Sequence, residues 1–207
     1  MAAMIRYVTV GKWNENSYLI TDNGEAWLTD PGDEFELLDK EFDAENLLIN
    51  GIINTPGHFD HIGAVEQFKE KYNLPFYLHS KDKQIVRQGN LYKRFAGSSS
   101  SFKTPSIDHI LDEEPTLKLG EKSIITHYTP GHTNGSMCFE IEQSLISGDL
   151  LFKNTIGRVD LPGGKIDLLK RSVNYVLERF AGYTIYPGHG EPFLLNEKVI
   201  STLKKLV

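Results

Sequence analysis

The sequence predicts an α+β protein in which two β-sheets pack together with helices on the outside. Three observations lead there: strand patterns fill both halves of the chain, helical patterns accompany each half, and no internal repeat relates them. At 207 residues the chain is long enough for a substantial core, and residues 1–207 read as one domain.

The first half opens with strand patterns over 5–10, 17–21 and 26–29, separated by loops bearing Asn and Gly. Asp30-Pro31-Gly32-Asp33 is a turn, and a helix is expected over 34–42. Residues 47–54 form an apolar run without clean alternation, as in a strand covered on both faces. Ala64, Val65, Phe68 and Tyr72 then fall close to helical spacing. A strand over 74–78 precedes a helix expected from Ser80, its cap, to Arg94. The four serines Ser98 to Ser101 mark a loop.

In the second half, strands are expected from Leu117 and over 123–128, 136–141 and 144–147. A helix over 166–180, a strand over 184–186 and a closing helix near 196–206 complete the chain.

Composition excludes several roles. The chain carries 22 basic and 28 acidic residues without a dense Lys/Arg tract, which argues against a general nucleic-acid partner. No stretch approaches about 18 consecutive apolar residues, so no membrane span is expected. The amino terminus lacks a basic segment followed by an apolar one, and a cytoplasmic protein is the expectation. Met1–Ala3 reads as a cloning remnant ahead of a start at Met4. The one cysteine, Cys138, has no partner for an intrachain disulfide and sits in a strand-like run, as a packed core thiol does. No feature specifies an oligomeric state.

The chemistry concentrates in Asn54-Thr55-Pro56-Gly57-His58-Phe59-Asp60-His61-Ile62-Gly63. His58, Asp60 and His61 bring two imidazoles and a carboxylate together directly after a strand, the mixed nitrogen and oxygen set that zinc favours. Three more candidate ligands, His132, Asp149 and His189, also follow predicted strands, each with a glycine before it. Loops leaving one edge of a packed sheet converge on a single cleft. A lone loop histidine is ordinarily a surface or hydrogen-bonding residue, so it is the ordered set that carries the signal. His79, His109 and His127 lie in or beside strand-like runs and read as structural.

The 54–63 stretch resembles the Thr-His-x-His-x-Asp-His signature of the metallo-β-lactamase superfamily, with Pro56 at the position of the first histidine. Gly157-Arg158-Val159-Asp160-Leu161-Pro162-Gly163-Gly164 resembles a segment of its compact glyoxalase II-like (hydroxyacylglutathione hydrolase-like) branch. Asp30-Pro31-Gly32 matches the family's early turn. The resemblance implies a four-layer αββα sandwich with metal ions in a cleft at the sheet edges. It assigns His58 and His132 to a first ion whose third histidine is missing. Asp60, His61 and His189 go to a second ion, and Asp149 bridges the two. Asp60 is also the implied catalytic residue, orienting the nucleophile.

Zinc is the implied cofactor, as one or two ions, with iron or manganese as other occupants. The implied substrate is a small thioester or ester of the acyl-glutathione type. Too few residues follow His189 for the helical domain that classical glyoxalase II adds. Arg158 and Asp160 are expected to form an ion pair in the cleft wall, and Asn134, where the family often has proline, to alter only its loop. Other readings of the same ligands are a lactonase, a persulfide dioxygenase with one iron at the damaged first position, and a non-catalytic or regulatory metal-binding relative. Pro56 is the main support for the last.

Overall fold

The computed structural model describes residues 3–207; Met1 and Ala2, two of the three residues in the expected remnant, lie outside the described residues. The strands form two six-stranded sheets. The first contains Met4–Val10 (β1), Glu15–Asp22 (β2), Glu25–Thr29 (β3), Leu48–Ile53 (β4), Phe76–Leu78 (β5) and His109–Ile110 (β6), side by side in that order. β1, β2 and β3 pair antiparallel, and each later strand joins in parallel. The second sheet contains Thr116–Leu119 (β7), Lys122–Tyr128 (β8), Met137–Ile141 (β9), Ser144–Gly148 (β10), Thr184–Pro187 (β11) and Phe193–Leu194 (β12), again in chain order. Only the β10–β11 pair there is parallel.

The helices are Phe35–Phe42 (α1), Phe59–Ile62 (α2), Val65–Tyr72 (α3), Lys83–Arg87 (α4), Gly89–Phe95 (α5), Ile166–Arg179 (α6) and Glu197–Leu203 (α7). Side chains two apart on a strand share a face, and that rule sorts the core into layers. In β2, Leu19 joins Leu38, Phe42 and Phe68 of α1 and α3, while its neighbours Tyr18 and Ile20 turn to the other sheet. In β9, Met137, Phe139 and Ile141 meet them there, while Cys138 faces Leu169, Val173, Val176 and Leu177 of α6. The result is helix, sheet, sheet, helix with apolar packing at all three interfaces, the αββα sandwich that the resemblance implied. Each large side chain fully withdrawn from water contributes about 1.5–3 kcal/mol, so the three layers carry most of the stability.

Two elements depart from expectation. The helix expected from Ser80 to Arg94 is a 3-10 turn, Ser80–Asp82, followed by α4 and α5. Ser80 is not the cap: the His79 ring accepts from the Lys81 N–H, and the Ser80 hydroxyl donates to Asp112. The break falls at Gln88 (φ −96°, ψ 5°), which redirects α5 so that the Asn90 amide brackets the backbone of Phe102 at 2.9 and 3.0 Å. The two-residue edge strands β6 and β12 are too short to leave a periodic trace in the sequence. Asn196 caps α7 by accepting from the Val199 N–H at 3.1 Å.

Cys138 is the packed thiol expected: it is wholly buried, and burial pushes its pKa up to about 12. At pH 8 it is therefore neutral in the folded protein and becomes reactive only on unfolding. Thiol titration should give essentially no labelling at pH 8 in buffer and one equivalent in denaturant; rapid labelling of the folded chain would contradict this packing.

Candidate metal centre

Every predicted ligand sits in a loop that leaves a strand or on the short helix that such a loop enters. His58 precedes α2, which carries Asp60 and His61; His132 lies between β8 and β9; Asp149 directly follows β10; His189 follows β11. The register of β10 and β11 breaks between Ile146 and Gly148, which turns Asp149 out of the sheet towards the cleft. Gly148 makes that turn at φ +48°, where a Cβ would lie 2.1 Å from the Thr55 hydroxyl oxygen. At Gly188 a Cβ would lie 2.3 Å from Asp149 Oδ1, so the chain before His189 has no room for a side chain.

Three imidazoles are aimed by the hydrogen bond at their Nδ1. His61 Nδ1 lies 3.1 Å from Asp30 Oδ2. His132 Nδ1 lies 2.8 Å from the Arg158 carbonyl. His189 Nδ1 lies 3.1 Å from the carbonyls of both Trp13 and Asn14. Each of these acceptors takes the Nδ1–H and leaves the Nε2 lone pair facing the cleft. There Asp149 gathers them: His61 Nε2 at 3.5 Å, His132 Nε2 at 3.3 Å and His189 Nε2 at 3.6 Å from its carboxylate. Asp60 Oδ2 lies 3.6 Å from His189 Nε2, and ligand atoms of Asp60, His61 and His189 all fall within 4.8 Å of one another. His58 is oriented differently, with its Nδ1 2.8 Å from His132 Nε2.

The donors fit a divalent cation. His61 Nε2 and Asp149 Oδ1 are buried and have no hydrogen-bond partner, a costly state that an ion would relieve. The charges agree. Burial would lower the His61 and His189 pKa values, but neighbouring carboxylates, Asp149 foremost, outweigh it and raise both. Asp149 is held well below the carboxylate range because His61 and His132 overcome its burial. Burial, helped by His132, pushes His58 down to about 3, so that imidazole is neutral at physiological pH and free to donate a lone pair. Pro56 is buried, does not line the cleft and offers no donor, so nothing at its own position completes the set of His58 and His132.

Sequence reasoning missed the buried acids behind these ligands. Asp30 accepts from the Thr55 N–H at 2.7 Å, from the Thr55 hydroxyl and from His61. Glu15 lies 3.7 Å from His61 Nδ1 and is pushed well above the usual carboxylate range by burial. Asp82 ties the two halves of the first position together by accepting from Gly57 N at 2.9 Å, Gly135 N at 2.7 Å and the Thr133 hydroxyl at 2.7 Å. Asp30 had a signal, its place in the Asp-Pro-Gly turn, whereas Glu15 and Asp82 had none. Arg158 and Asp160 form the expected ion pair, through two hydrogen bonds of 2.6 and 2.5 Å. Asn134 stays within its loop, its carbonyl accepting from the Tyr128 hydroxyl.

The structural histidines stand apart from the cleft. His79 stacks on Tyr128, His109 stacks on Tyr77, and His127 bridges Glu140 and Tyr175.

A cleft of this architecture, with histidine and aspartate ligands on loops at one edge of an αββα sandwich, defines a metallo-hydrolase class. The chain belongs to the metallo-beta-lactamase superfamily, whose family model matches residues 10–189. It is similar to the crystal structure of BLEG-1 B3 metallo-beta-lactamase, with 33% identity, a TM-score of 0.84 and coverage of 93% of this chain and 94% of that one. It is also similar to TTHA1623, solved in a di-iron-bound form, with 34% identity, a TM-score of 0.81 and coverage of 92% and 94%. A hydroxyacylglutathione hydrolase, GloC of Haemophilus influenzae, is 31% identical over 197 residues, covering 90% of each chain.

Replacing Asp30 with Asn removes the charge that anchors Thr55 and His61 while keeping its size. Loss of such a supporting contact typically costs 10–100-fold in metal affinity. Competition with a chromophoric chelator should show zinc binding weakened within that range, with the fold retained by circular dichroism. Unchanged affinity would remove Asp30 from the site.

Proposed function

We propose that this protein is a metal-dependent hydrolase of small thioesters or esters, of the glyoxalase II-like kind, with one competent and one weakened metal position. The observation that carries the reading is the convergence of three Nε2 atoms and the Asp60 and Asp149 carboxylates on one cleft. The hydroxyacylglutathione hydrolase relative supports the bond type, and the di-iron-bound neighbour supports metal binding. Asp60, His61, His189 and Asp149 hold the competent position; His58, His132 and Asp149 hold the weakened one. Zinc suits this mixed donor set, and iron and manganese compete for it. The partner is a small molecule, with no nucleic-acid or membrane partner, and the protein works in the cytoplasm. Among the described residues no helix is long and apolar enough to cross a membrane.

A bound divalent ion supplies a water of pKa about 7 and polarises a carbonyl. The side chains do the rest. Asp60, at the cleft wall beside His189, accepts a hydrogen bond from the attacking water and fixes its direction towards the carbonyl carbon. His132 and His189 stay in place because the backbone carbonyls at their Nδ1 atoms forbid rotation. Their rigidity holds the reacting groups in one geometry, which lowers the entropic part of the barrier.

Pro56 sets the stoichiometry. Loss of a direct ligand weakens an ion at least as much as loss of a supporting contact, 10-fold or more. Elemental mass spectrometry of zinc-equilibrated protein should find about one ion per chain, and about two in Pro56→His. Thioester hydrolysis, abolished by chelation, should rise together with the second ion. The reading fails if no thioester or ester is turned over with zinc, iron or manganese. The weakened-position part fails if the native chain already holds two ions.

A further inference from the structure

The walls of the cleft, rather than its floor, point to what is bound. The cavity has a volume of about 730 Å³, and apart from Arg158 its lining beyond the ligands is aromatic and aliphatic, with Trp13, Phe59, Tyr92, Phe95, Phe152 and Ile156 foremost. The wall is continuous with the reaction centre. The Phe152 ring lies 6.3 Å from that of His189, and Trp13 packs edge-to-face on Phe59 at 4.7 Å, next to Asp60. At the mouth, Phe95 of α5 is 79% exposed, an aromatic ring left in water at the rim of a cavity. The Tyr92 hydroxyl is tied back to the Gln88 side chain, which leaves the face of its ring as the surface presented.

Charge gives the complementary half of the argument. Among the described residues lining the cleft, Arg158 is the one Lys or Arg side chain, and its Nε–Nη2 edge is engaged by Asp160. Lys12, beside Trp13, donates to the Gly97 carbonyl at 3.1 Å. The cleft also carries the Asp60 and Asp149 carboxylates. Glutathione bears two carboxylates at neutral pH, and the one cation lining the cleft is already paired with a carboxylate. An aromatic ring finds several flat apolar faces within reach of the scissile carbonyl.

We propose that this site selects its substrate by a bulky apolar group, aromatic in the first instance, carried beside the scissile bond, and that it does not read a carboxylate-bearing thiol carrier. This rests on the hydrolase reading above and narrows it. The group sits on the acyl side or the thiol side of the bond, and the substrates tested separate the two.

Two measurements test the proposal, one of them independent of turnover. Trp13 lines the cleft while Trp27 is buried in the core, so a ligand in the cleft changes tryptophan emission through Trp13. With zinc-equilibrated protein, 4-phenylbutyrate should give a saturable emission change that is absent in Trp13→Phe. It should bind at least ten-fold tighter than acetate or reduced glutathione, and Phe95→Ser should weaken it at least three-fold. For turnover, S-phenylacetyl-N-acetylcysteamine or S-benzyl thioacetate should exceed S-acetyl-N-acetylcysteamine at least ten-fold in kcat/KM. Whichever does so marks the side that is recognised. S-phenylacetylglutathione should match its N-acetylcysteamine counterpart within about three-fold.

Glutathione binding as tightly as phenylbutyrate, or no gain from either aromatic thioester, overturns the proposal. Tight phenylbutyrate binding without any turnover removes the hydrolase reading and leaves the apolar specificity standing. Turnover indifferent to the apolar group does the reverse.

Discussion

One carboxylate holds the candidate metal centre in register. Asp30 directly follows β3, and its two oxygens accept from the backbone and hydroxyl of Thr55, just past β4, and from His61 on α2. Two neighbouring strand ends and a one-turn helix are thereby locked to a single buried group. α2 is too short to stabilise itself, so its orientation is inherited from this contact and from Asn54, which donates to the His61 carbonyl at 2.7 Å. Everything presented to the cleft by α2, Asp60 as well as His61, depends on that anchoring.

The same economy recurs on the other sheet. His132 and His189 are aimed by backbone carbonyls of distant loops, those of Arg158, Trp13 and Asn14. A histidine aimed by a carbonyl has one usable tautomer, and its lone pair is committed to the cleft. His58 lacks this constraint: its Nδ1 faces His132 Nε2 instead, and its own Nε2 is buried without a partner. On the proposed reading, the asymmetry between two metal positions therefore does not begin and end with Pro56. It extends to how firmly each remaining ligand is pointed.

Much of this was legible in the sequence because the ligands are polar residues set directly after apolar strands. His58, Asp60, His61, His132, Asp149 and His189 stood out as an ordered set, and the loops and short helix at the sheet edges bring them to one cleft. The strands announced themselves as short apolar runs bounded by turn residues, and the helices by spacing, as in Leu169, Val173, Val176 and Leu177 of α6. What stayed hidden depends on contacts between distant segments. Glu15 reads as an ordinary charged strand residue until burial places it against His61. Asp82 is one acid among many until Gly57, Thr133 and Gly135 converge on it. The break at Gln88 comes from packing around Phe102, which lies too far along the chain for local propensity to register.

The loop that carries Pro56 is fixed on both sides, by Asp30 through Thr55 and by Asp82 through Gly57. The scaffold for a third imidazole is thus retained although the imidazole is not. Proline codons that end in a pyrimidine become histidine codons by one base change. From such a codon, the full ligand set stands a single mutational step away, with no rebuilding of the surrounding fold. On the proposed reading, stoichiometry at this centre is then an evolvable quantity rather than a fixed property of the architecture.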